Sequence, residues 1–186
     1  KRMVGGDWSI PTKMTELSTE KDDWYVTLSR NQNIYFTNGT VFKASLEEGK
    51  YGARVKVESP FNSKDTRDPC ISPNEDYMIF AATDSLNANQ SDLYISFKEA
   101  DDTWTMAQNL GNTINTEYLE FAPYISPDER FLFFSRREKW QNAAFSNIYW
   151  VDLQVIEQFR NEVKWVLKDG GVELKQWALW YPFLAW

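Results

Sequence analysis

The chain has 186 residues, 42% of them hydrophobic and 16% aromatic, enough apolar material for one domain with a real core. Twenty basic residues against 27 acidic ones leave a net charge of −7, which opposes a phosphate backbone at long range, so no nucleic-acid partner is expected. Histidine is absent, which excludes Ser-His, Cys-His and multi-His metal chemistry within the chain; neither a metal nor another cofactor is expected.

The chain opens on Lys1-Arg2-Met3-Val4-Gly5-Gly6 with no apolar run behind it, so no signal peptide is visible. A leading strand is expected over 8–14, beginning at Trp8-Ser9-Ile10-Pro11. A first unit, over roughly 20–62, reads as Trp24 to Leu28, a polar turn at Arg30-Asn31-Gln32-Asn33, then Ile34 to Thr37 and Val41 to Leu46, with alternation suited to half-buried strands.

The second and third units, roughly 63–116 and 117–152, are versions of one another. Ala122-Pro123-Tyr124-Ile125-Ser126-Pro127-Asp128-Glu129 repeats Asp68-Pro69-Cys70-Ile71-Ser72-Pro73-Asn74-Glu75 at a spacing of 54 (122 minus 68). After each Ser-Pro turn comes an aromatic strand, Tyr77 to Ala81 or Phe131 to Ser135, then a loop and a strand with a central tyrosine, Tyr94 or Tyr149. The Ser-Pro-Asp/Asn-Glu segment reads as a type I hairpin turn. Cys70 aligns with Tyr124 and reads as a buried core thiol. Four short strands per roughly 50 residues, recurring in tandem, form the pattern of propeller blades, each of which hides its apolar faces against its neighbours.

In these motifs the chain resembles the WD40-like β-propeller repeat family of TolB-type bacterial envelope proteins. The likeness rests on Pro123-Tyr124-Ile125-Ser126-Pro127-Asp128, Phe133-Phe134-Ser135, Asn147-Ile148-Tyr149 and the linker Asn109-Leu110-Gly111 to Ile114-Asn115. It implies an all-β partial propeller of about three four-stranded blades plus the leading strand, in a periplasmic or secreted protein. Glu75 and Glu129 stand where that family has Gly, which predicts a turn that need not pass through a left-handed residue; the first unit reads as having lost the Ser-Pro-Asp element. Three blades do not close a ring, so the chain is expected either to be the C-terminal part of a longer propeller or to associate as a homodimer through its open blade edges.

The period changes after Asp152. A helix is expected over about 153–168, capped by Asp152 and stopped at Gly170-Gly171, within a helical and aromatic tail over 153–186. The Trp177 to Trp186 run is too short to cross a bilayer, and no membrane span is expected elsewhere.

The candidate ligand-binding residues lie where loops enter the innermost strands: Arg67 with Asp68, and Glu120. A second cluster, Arg136-Arg137-Glu138-Lys139-Trp140, sets cations beside an aromatic ring, suited to an anionic sugar or a peptide carboxylate. Asp68 and Glu120 also read as acceptors for neighbouring loop amides. The 84–92 loop has oxygen ligands at alternating positions but lacks the Gly and Glu of an EF-hand. The expected role is a non-catalytic scaffold that binds a peptide, glycan or envelope protein at the channel mouth. The alternative is part of a propeller enzyme, a carboxylate-based glycan hydrolase or lyase with Asp68 and Glu120 as acid and base.

Overall fold

The computed structural model describes residues 4–63, 66–83, 90–138, 145–160, 166–168 and 171–173. The loop at 84–89, Lys139-Trp140 and the aromatic run at 177–186 lie outside the described residues. In chain order the strands are β1 (Trp24–Leu28), β2 (Ile34–Thr37), β3 (Val41–Ala44), β4 (Leu46–Glu47), β5 (Lys50–Tyr51), β6 (Val55–Lys56), β7 (Thr66–Ile71), β8 (Tyr77–Thr83), β9 (Ser91–Phe97), β10 (Gln108–Asn109), β11 (Leu119–Ile125), β12 (Phe131–Arg137), β13 (Asn147–Asp152), β14 (Val166–Lys168) and β15 (Gly171–Glu173).

They build three successive antiparallel blades. Blade 1 has the order β1-β2-β3-β6, blade 2 the order β7-β8-β9-β10, and blade 3 has β11-β12-β13. Each is a meander that starts on its innermost strand, and β11 contacts β7, β8 and β9, so blade 3 stacks on blade 2. The fold is thus an all-β partial propeller, its third blade three-stranded among the described residues. Residues 8–14 contribute one bridge position, Trp8.

Stacking follows from side-chain alternation. On β8, Met78 and Phe80 point to blade 1, where they meet Tyr35, Val41, Val57, Phe61, Ile71 and Trp104 in one buried cluster. Phe61 lies 4.8 Å from Phe80, ring centroid to ring centroid, and edge-on to Trp104 at 5.7 Å. The opposite parity of blade 2, Tyr77, Ile79, Leu93 and Ile95, is equally buried. Each such side chain contributes roughly 1.5–3 kcal/mol when removed from water. Blade 2 therefore has two dry faces, as the repeat pattern requires.

The end of the chain departs from the helical expectation. Asp152 Oδ1 accepts from the Gln154 N–H at 2.9 Å, as an N-cap does, and a 3-10 turn at Leu153–Ile156 leads into a single helical turn, α1 (Glu157–Arg160). Val166–Lys168, however, is a strand paired with Gly171–Glu173. The pairing of Lys168 with Gly171 leaves Asp169-Gly170 between them, a dipeptide that favours a two-residue hairpin loop. Gly171, read as part of a helix stop, thus lies in a strand, and the β-branched Val166 suits the strand opposite it. Residues 1–155 and 156–186 form two separate compact units.

Candidate functional site

The site is built on β1, β7 and β11, each the terminal strand of its sheet. Each carries a bulge at the same place, between Trp24 and Thr27, Arg67 and Cys70, and Phe121 and Tyr124. At each bulge a non-glycine residue is left-handed: Tyr25 (φ 53°), Asp68 (φ 50°) and Ala122 (φ 51°), at a cost of about 1–2 kcal/mol each. The bulged residues tie the blades together. Tyr25 Oη donates to the Pro123 carbonyl at 2.7 Å, and the Asp68 carboxylate accepts from the Ala122 N–H at 3.0 Å. Thr27 Oγ1 donates to the Pro69 carbonyl at 3.0 Å and accepts from the Ile71 N–H at 3.3 Å.

Between these strands lies a groove of about 470 Å³ whose wall includes Val26, Leu28, Ile71, Pro73, Tyr124 and Pro127. Its lining is mainly apolar, and Leu28 is 55% exposed. One end is framed by three matching turns. Ser72 and Ser126 accept through their carbonyls from Glu75 and Glu129 at 3.0 and 2.8 Å, and Ser29 does the same for Gln32 at 2.9 Å. Their hydroxyl oxygens accept from further amides: Ser29 from Asn33, Ser72 from Asp76 and Tyr77, and Ser126 from Arg130 and Phe131. The first unit has therefore kept the serine of the turn, contrary to the sequence reading; Arg30 replaces the proline. The N–H that a proline would lack is used, since Arg30 donates to the Pro73 carbonyl at 2.8 Å. Its guanidinium bonds Asn74 Oδ1 at 2.6 Å and lies 3.7 Å from the Glu129 carboxylate.

The glutamates at these turns overturn a second expectation. Glu75 (φ 61°) and Glu129 (φ 54°) both pass through the left-handed region despite the absence of Gly. For Glu75 the reason is visible. Its carboxylate reaches into blade 1 and accepts from Lys43 Nζ, Tyr35 Oη and Asn33 Nδ2, each at 2.6 Å. Burial alone would raise its pKa, but bonds from Lys43, Tyr35, Ser29 and Asn33 outweigh it and lower the carboxyl from 4.5 to about 2. Glu129 reaches toward Arg30 of blade 1 and Tyr77 of blade 2. Sequence reasoning missed this clasp; its signal was the shared Glu one place after Asn74 and Asp128.

The residues nominated from sequence fall into separate networks. Glu120, fully buried, accepts from Arg136 Nε at 2.7 Å, from Thr116 Oγ1 at 2.6 Å and from the Thr116 N–H at 3.2 Å. Arg136, its register partner on β12, also bonds the Ile114 carbonyl at 2.8 Å and stacks 4.3 Å from the Tyr149 ring. Asp68 is bound to the bulge of β11, its pKa raised by burial against the lowering effects of the Ala122 N–H and Arg67. Arg67 bonds Thr83 Oγ1 at 3.1 Å and Ser91 Oγ at 3.4 Å. Arg137 bonds Ser146 Oγ at 3.4 Å and lies 5.9 Å from the Phe121 ring. Arg136 and Glu120 are thus brought together, and Arg67 and Arg137 are placed elsewhere. Among the described residues no group of three or more Cys, Asp or Glu is arranged to hold a metal ion.

No family model matches the chain. No curated protein matches it either. Among solved structures, it is similar to TolB from Acinetobacter baumannii, with 17% identity over 86% of this chain and 33% of that one and a TM-score of 0.48. A TolB-like protein from Agrobacterium tumefaciens follows, with 14% identity over 74% of this chain and 60% of that one and a TM-score of 0.40. A structure from a study of two prolyl endopeptidases has 10% identity over 70% of this chain and 20% of that one, with a TM-score of 0.41. The chain, a partial propeller, spans about a third of the length of the first of these structures.

Proposed function

We propose that this chain is a non-catalytic binding scaffold of the bacterial periplasm or exterior whose channel groove receives an extended segment of a protein partner. The observation that carries this reading is the groove of about 470 Å³ between three terminal strands. Terminal strands offer backbone donors and acceptors to an added strand, and an apolar wall offers pockets for its alternate side chains. The polar candidates support binding over catalysis. The carboxylates of Asp68 and Glu120 are engaged by an amide of the next blade and by an arginine and a threonine, whereas acid-base hydrolysis needs two carboxyls facing one cleft. In this reading Asp68, Glu120 and Arg136 hold the blades in shape, while Arg67 and Arg137, which lie outside the groove lining, serve anionic groups of a ligand that extends beyond it.

The test is selection of peptides from a random display library on the intact chain, followed by titration against Leu28→Asp. Leu28 is largely exposed, so the variant should melt like the wild type while selected peptides lose at least about tenfold in affinity. Peptides that bind both proteins equally, or selection that yields no binder while a glycan array does, would overturn the reading.

A further inference from the structure

Two side-chain links join blade 1 directly to blade 3, and the wall of the groove runs from one to the other. At the bulges Tyr25 Oη reaches the Pro123 carbonyl at 2.7 Å. At the turns Arg30 Nη2 lies 3.7 Å from a carboxylate oxygen of Glu129. The wall between follows Tyr25 to Arg30 on blade 1 and Tyr124 to Pro127 on blade 3.

The two ends differ in chemistry. At the bulge end the tyrosine hydroxyl is committed to a carbonyl and carries no charge. At the turn end stands a cation: among the described residues that line the groove, Arg30 alone is charged. Its N–H donates to the Pro73 carbonyl at 2.8 Å and its Nη1 to Asn74 Oδ1 at 2.6 Å. Both acceptors are neutral, so they fix the guanidinium in place without cancelling its charge. Glu129 does so only loosely, since 3.7 Å is well beyond the ~2.7–2.9 Å of a charge-assisted hydrogen bond. Its other oxygen meets Tyr77 Oη at 3.5 Å, so Glu129 holds neither neighbour closely. The Arg30 side chain stays 63% exposed, and a guanidinium presents a planar fork of donors that matches a carboxylate.

On the reading that the groove receives an extended protein segment, we propose that this segment is the C-terminal end of its chain. Its last apolar side chains lie against Val26, Leu28, Ile71 and Tyr124, and its terminal carboxylate is captured by Arg30. A segment that continued past Arg30 would have to part the turns that Arg30 joins; one that stops there meets a fixed cation. The span fits as well. Tyr25 to Leu28 is three residue steps, roughly 10 Å of strand, so about three or four residues of the segment lie in the groove before its end reaches the turn. The net charge of −7 opposes an acidic segment at long range, whereas an apolar segment with one terminal carboxylate brings the least negative charge that Arg30 can use. Because Arg30 follows the C-terminal end of β1, the segment runs parallel to that strand. Glu129 is then the competitor that the incoming carboxylate displaces.

The test uses peptides selected from a library displayed with free C-termini, each synthesised both as the free acid and as the C-terminal amide, and titrated by fluorescence anisotropy against the intact chain. Capping should weaken binding to the wild type at least about tenfold, the loss of one charge-assisted contact. Arg30→Gln should weaken the free acid by the same factor and leave the amide unchanged, so that the two changes together cost no more than either alone. Glu129→Gln removes the competitor and should raise the affinity of the free acid about two- to fivefold, the worth of an exposed ion pair, without effect on the amide. Capping alters the peptide and not the protein, so its outcome holds whatever Arg30→Gln does to the fold. Acid and amide that bind the wild type alike, an Arg30→Gln loss equal for both, or affinity that depends on an internal Asp or Glu of the peptide would each overturn the capture. Failure of the groove reading looks different, since its peptides would bind Leu28→Asp as well as the wild type. Peptides weakened by Leu28→Asp but indifferent to capping would keep the groove and refute only the terminal carboxylate.

Discussion

Replacing Glu75 separates the worth of the clasp between blades from the cost of its backbone. In Glu75→Ala the buried Tyr35 hydroxyl, Lys43 and Asn33 lose acceptors at 2.6 Å. Charge-assisted bonds are worth about 1.5–3 kcal/mol each but are not additive, and breaking a buried pair by removing one partner costs about 3–5 kcal/mol; that range is the expected loss. Glu75→Gly loses the same bonds but recovers about 1–2 kcal/mol of left-handed strain at φ 61°. Against this, glycine adds about 0.4–1 kcal/mol of unfolded-state entropy. The glycine variant should therefore lie about 0.5–1 kcal/mol above the alanine variant and well below the wild type in urea unfolding. A glycine variant as stable as the wild type would refute the reasoning, since the clasp would then be worth no more than the strain. The pH dependence supplies an independent reading. The carboxyl is depressed in the fold, from 4.5 to about 2, so the unfolded chain takes up the proton first. The contribution is complete above about pH 4.5 and is lost as pH falls toward 2. The stability gap between wild type and Glu75→Gly should shrink across that window and be flat above it.

Two further outcomes follow from buried groups. Glu120→Ala strands the Arg136 guanidinium against Tyr149 and the Ile114 carbonyl and should cost about 3–5 kcal/mol in chemical denaturation; a loss below about 1 kcal/mol would mean that water replaces the carboxylate. Cys70 is buried, and its thiol is pushed up to about 12 by that burial, against the lowering effect of the Ile125 N–H. A thiol reagent at pH 8 should label it only through unfolding, at a rate that rises with urea in step with the global transition; prompt labelling of the native chain would refute this.

What was legible in the sequence was the spacing of turns and the alternation of strands, because both are local. The Ser72 and Ser126 turns were readable from Ser-Pro followed by an acid or amide; Cys70 was read as buried from its alignment with Tyr124, and it is buried although Tyr124 itself is 51% exposed. The pairing of Val166–Lys168 with Gly171–Glu173 escapes a sequence reading because its apolar residues also fit a helical period, and the Gly170-Gly171 pair in the sequence suits a helix stop equally well. The Glu75 clasp was hidden for a different reason: a glutamate in a glycine position carries a local penalty, and the compensation lies 40 residues away on Tyr35, where no single-sequence pattern reports it.

Two linkers with the same hydrogen bonds mark the limit most clearly. Met14 to Ser18 and Gly111 to Asn115 share no residue at matched positions, yet their backbones make the same bonds. The pattern needs only a Thr to cap and an acid four residues on to receive its donors, and Asp23 and Glu120 fill that role with different side-chain lengths. Such a motif has two informative positions, too few to rise above chance in one sequence. Glu120, nominated as a candidate ligand at the channel mouth, and its counterpart Asp23 are the acceptors that shape the linker entering a blade's first strand. Acid in this position is demanded by the amide and hydroxyl of the preceding threonine before any ligand arrives, and so a carboxylate at a blade entrance, taken alone, argues for a joint.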